Sequence, residues 1–75
     1  MSERRSFGPD LKAIGARIRT LRGKLLQEEF ASQLRISQGQ LSKIERGKMA
    51  PTLETLFILA NRFGKSLDWM VTGAR

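Results

Sequence analysis

Residues 27–46 read QEEFASQLRISQGQLSKIER. Phe30, Ala31 and Leu34 recur at helical spacing in the first half, and Leu41 and Ile44 do so in the second. Between them lie Arg35, Ile36 and Ser37, and serine is a good N-cap. The pattern predicts one short helix over about Gln27 to Leu34 and another from Gln38 to a stop at Gly47. Glu28 and Glu29 fall in the first turn of the former, where the positive end of the helix dipole favours them. Ala31 is small where the two helices would cross, and Ile36 plugs the turn.

Two short helices joined by three residues form a helix-turn-helix connection, here spanning about residues 27–46. In that geometry the first helix braces the second, whose N-terminal residues can enter the major groove of DNA. With about 100° per residue and Leu41 and Ile44 inward, Gly39, Ser42, Lys43 and Arg46 point outward. Gln38 and Gln40 lie on opposite flanks. Lys43 suits a guanine O6/N7 edge or a phosphate, and Ser42 suits either. Ser37, Arg46 and Lys48, around the two ends of this helix, are expected to hold phosphates.

The flanking sequence completes an all-α fold of five helices. Asp10 caps a first helix over Leu11–Arg22, with Leu11, Ile14, Ile18 and Leu21 apolar and Gly23 as its stop. Pro51 and Thr52 announce a fourth helix carrying Leu53, Leu56, Phe57, Leu59, Ala60 and Phe63, ended by Gly64. Ser66 caps a last short helix, Leu67–Thr72, closed by Gly73. Period-two alternation is absent. The expected organisation is a flexible basic arm over residues 1–9 and one compact domain over residues 10–75.

Composition narrows the function. The chain has 75 residues, no Cys and no His, so disulfides, the commonest transition-metal ligands and a nucleophile–His dyad are all missing. The seven acids are scattered, and Glu28 and Glu29, though adjacent, point in different directions on a helix. No catalytic, metal or cofactor site is expected, and no small-molecule ligand is evident. Fourteen Lys and Arg leave a net charge of +7, which calls for a polyanionic partner: nucleic acid first, an anionic membrane surface second. No apolar run reaches the roughly 20 residues of a membrane span, and residues 1–9 lack the apolar core of a secretory signal. A cytoplasmic location, without membrane attachment, is therefore expected.

The segments IGARIRTLRG (14–23), QEEFASQL (27–34), LSKIERGK (41–48), PTLETL (51–56) and LDWMVTG (67–73) resemble the lambda-repressor-like (Cro/phage repressor) helix-turn-helix family, in the same order and at the same distances. The resemblance implies a sequence-specific, double-stranded DNA-binding transcriptional regulator, most plainly a dimeric repressor on a pseudo-palindromic operator. It implies that Gln27 bonds a phosphate and braces Gln38, and that Gln38 reads adenine through N6 and N7. It implies that Glu45 pairs with Arg22 of the first helix as a structural ion pair. It places a homodimer contact in the last helix, with Leu67, Trp69 and Met70 as candidates, although a Trp at the position of Trp69 is most often core.

Three positions depart from the family pattern. Leu26 stands where Ser or Thr usually caps the second helix. Arg35 stands where glycine usually takes a left-handed conformation, and two readings are open: its side chain reaches a phosphate, or the turn simply tolerates it. Gly39 stands where relatives place a base-reading side chain, which narrows direct readout and permits close backbone approach. Arg4 and Arg5 of the arm are candidates to follow a phosphate or the minor groove. Two rivals stay open: a protein-interaction module of antitoxin type on the same fold, and an RNA binder. The latter would need exposed aromatics, whereas Phe7, Phe30, Phe57 and Phe63 mostly occupy buried-looking positions.

Overall fold

The computed structural model describes residues 8–74, and the arm arginines Arg4 and Arg5 lie outside them. Five helices follow in order: α1 (Leu11–Arg22), α2 (Gln27–Gln33), α3 (Gln38–Glu45), α4 (Leu53–Phe63) and α5 (Leu67–Thr72). Four begin on a side-chain cap. Asp10, Ser37, Thr52 and Ser66 accept from the backbone N–H of Ala13, Gln40, Thr55 and Trp69. At α2 the cap position is Leu26, which offers no acceptor.

Helix α2 stops one residue short of expectation. Leu34 N–H is shared between the carbonyls of Phe30 and Ala31, at 3.1 and 3.0 Å, so the last turn tightens. Arg35 then turns left-handed at φ 63°, the only non-glycine residue with positive φ among those described. That reversal aims the chain into α3.

The core takes side chains from every helix: Ile14 and Ile18, Phe30, Ala31 and Leu34, Leu41 and Ile44, Leu59, and Met70. Phe30 lies at its centre, fully buried, with its ring 6.0 Å from that of Phe63. Helix α1 crosses the end of α3 at Gly15. A Cβ there would collide with the Ile44 carbonyl and lie 2.7 Å from that of Glu45. The two backbones touch directly, which is why this position is glycine.

Two expectations about the last helices need correction. Met70, proposed as a dimer contact, has no exposed surface and belongs to the core. Arg17 of α1 fixes it there by donating from Nη1 to the Met70 carbonyl at 3.0 Å. Phe57, placed among the buried-looking aromatics, is 62% exposed, and Leu53 is 72% exposed. Helix α4 carries apolar residues nearly all round, and one face cannot bury them all. Thr55, Leu56, Leu59 and Phe63 cluster toward the core at about 100° per residue, which leaves Leu53 and Phe57 pointing away.

Candidate nucleic-acid interface

The outer face of α3 is built from its first turn downward. Ser37 and Gln40 form a capping box: Ser37 Oγ accepts from Gln40 N–H at 3.0 Å, and Gln40 Oε1 accepts from Ser37 N–H at 2.8 Å. The amide oxygen of Gln40 is thus held against the backbone. Gln38 and Lys43 are exposed and their side chains make no hydrogen bond or ion pair among the described residues, while Gly39 adds bare backbone between Gln38 and Gln40. Ser42 is half-buried. Arg46, one turn on, is exposed, and its Nε donates back to the Ser42 carbonyl at 3.3 Å. Lys48 is exposed on the loop that follows.

The far end of α3 is locked. Glu45 Oε2 accepts from Arg22 Nε at 2.7 Å, and Oε1 accepts from Arg22 Nη2 at 3.0 Å, a two-pronged contact. Arg22 Nη1 donates to the Leu25 carbonyl at 2.7 Å. The Glu45 side chain is only 4% exposed, so its remaining lone pairs need donors. Gln27 supplies one, Nε2 to Oε1 at 2.9 Å. The hydrogen bond to Glu45 raises the pKa of Arg22; burial pulls the other way, and the attraction of the carboxylate adds to the rise.

Gln27 therefore turns to Glu45 and not to Gln38, and no hydrogen bond joins the two glutamines among the described residues. A buried carboxylate is a stronger acceptor than a second amide, which accounts for the choice. Arg35 projects into solvent beside the turn, with Nη1 3.8 Å from Glu54 Oε2 and both side chains mostly exposed. Such a pair contributes little. Sequence reasoning did not foresee the Gln27–Glu45 bond or the outward face of Leu53 and Phe57. The second was detectable, because residues 53 and 57 fall on one stripe opposite Leu59.

A braced pair of short helices, an outward α3 with unengaged amide and ammonium groups, and a strongly basic chain define a class: DNA-binding helix-turn-helix regulators. A helix-turn-helix family model matches residues 16–70. An uncharacterised HTH-type transcriptional regulator of Sinorhizobium fredii, y4dJ, is 44% identical over 57 residues, 76% of this chain and 73% of that protein. Among solved structures, the P22 c2 repressor in complex with a synthetic operator superposes with a TM-score of 0.71 and 30% identity, over 81% of this chain and 96% of that one. The restriction-modification controller protein C.AhdI of Aeromonas hydrophila gives a TM-score of 0.68 and 27% identity, over 81% and 91%. The chain belongs to the lambda-repressor-like helix-turn-helix family of transcriptional regulators.

Proposed function

We propose that this protein is a sequence-specific transcriptional repressor, not an enzyme, that places α3 in the major groove of an operator in the cytoplasm. The observation that carries the reading is the division of α3 into two ends. Its exit is fixed to α1 and α2 through Glu45, while Gln38 and Lys43 stand exposed with their donors uncommitted. Gln38 reads adenine through N6 and N7. Lys43 takes a guanine edge, and Ser42 and Gly39 line the same surface. Gln27, Ser37, Arg35, Arg46 and Lys48 face the sugar-phosphate backbone.

One α3 offers too few base contacts for useful specificity, so two copies act together on half-sites about 34–36 Å apart. Exposed Leu67 and half-buried Trp69 remain candidates for the contact between copies. Leu53 and Phe57 add the largest exposed apolar side chains near them in sequence, and they take the place that Met70 leaves. The same stripe would suit a partner of another kind, which is the interaction-module alternative.

Selection of bound duplexes from a random pool at near-physiological salt tests the reading. A two-fold-related motif is expected, with a dimer seen by light scattering on the selected duplex and lost in Phe57→Lys. Recovery of no motif would contradict the proposal and favour the interaction module.

A further inference from the structure

Among the outward residues of α3 is one that the fold does not require. Gly39 occupies the second position of the helix, where glycine is a poor former. Its φ is not positive, so a side chain would suffer no backbone strain. A Cβ built on it would meet nothing nearer than Ser37 Oγ, at 3.9 Å. The contrast with two other glycines is direct. At Gly15 a Cβ would strike the Ile44 carbonyl, and at Gly47 it would come within 2.8 Å of Lys12 Cα. Packing demands those two. Neither packing nor conformation demands Gly39.

What lies on either side sharpens the point. Gln40 is tied by its Oε1 to Ser37 N–H at 2.8 Å, so its side chain stays with the cap and does not cover the gap. Gln38 is unengaged. The first turn of α3 thus offers bare backbone beside one free amide, on the face that would meet DNA.

We propose that Gly39 is a specificity-determining residue: its bare Cα lets the first turn of α3 settle closer to the base edges than any side chain allows, and this closeness brings Gln38 into two-point reach of its base. The inference rests on the DNA-reading role of α3 argued above. A methyl group here would hold the helix off by roughly 1.5 Å, one carbon–carbon bond. A hydrogen bond of about 2.9 Å does not survive a shift of that size. Stability and recognition therefore respond to the same substitution in opposite directions.

The test uses the whole chain, thermal melting and duplexes selected by the wild type from a random pool. Gly39→Ala is expected to raise Tm by a few degrees. It is expected to weaken binding to the selected duplex about tenfold or more. Binding to unselected duplex, which rests on phosphate contacts, stays within about twofold. Gly39→Gln, selected afresh, should change the preferred base at one position of each half-site. A Gly39→Ala variant that binds the selected duplex as tightly as the wild type overturns the proposal, and so does one that melts lower, since the glycine would then serve the fold. If the wild type selects no motif, the operator reading fails and takes this inference with it. A clear wild-type motif with an indifferent Gly39→Ala variant fails the inference alone.

Discussion

Leu26 shows how much a single position can tell. It opens α2 without a side-chain acceptor and is 64% exposed, so it contributes neither a cap nor burial. Leu26→Ser should stabilise the domain by about 1 kcal/mol, read as a rise in Tm. An unchanged Tm would mean that the orphan N–H groups of α2 are already satisfied by water. Arg35 tells a related story. The departure from glycine was plain in the sequence, and the chain still turns left-handed there at φ 63°. The turn geometry is imposed by Ile36 and Leu34 packing below it, which outweighs a local cost of roughly 1 kcal/mol. Gln27 was less legible. Its amide seeks a buried carboxylate 18 residues away, and no local pattern encodes a three-dimensional meeting of that kind.

At the scale of elements, caps and glycine stops placed four of the five helices to within a residue, because side-chain acceptors and positive-φ glycines are local signals, whereas α2 has neither and was placed by its apolar spacing. Helix α4 was harder. Apolar residues surround it, so periodicity could not say which of them the core would take. The contact between α1 and α3 holds the exit of α3 in place. It rests on Gly15 against the Ile44 carbonyl and on the Arg22–Glu45 pair, whose side chains are 15% and 4% exposed. Glu45→Gln leaves Arg22 without its counter-charge and should cost roughly 2–4 kcal/mol, partly offset because Arg22 keeps some contact with water. A Tm within a degree of the wild type would contradict the clasp. The pH dependence has a definite sign. The folded-state pKa of Arg22 is raised, so its stabilisation is fully present below the ordinary arginine range and is lost only as pH climbs through the folded value. The Tm deficit of Arg22→Met should therefore be the same at about pH 6 and about pH 9.

For the whole molecule, a net charge of +7 sets the response to salt. Binding to duplex DNA should weaken steeply with ionic strength, with a slope near −0.9 for each phosphate neutralised. Lys48→Ala should weaken all duplexes alike and flatten that slope by about 1, as measured by titration across salt concentrations. A loss confined to one sequence would assign Lys48 to a base instead.

Gln38, held out by a locked α3, is the residue we propose to read a base. The most direct measurement is a cycle of binding affinities on the selected duplex, with wild type and Gln38→Ala each tested on adenine and on 7-deazaadenine at the contacted position. Removing N7 takes away one acceptor of the two-point contact. A loss of about fivefold or more is expected for the wild type and no further loss for Gln38→Ala. Equal losses in both proteins, or none in either, would contradict this proposal.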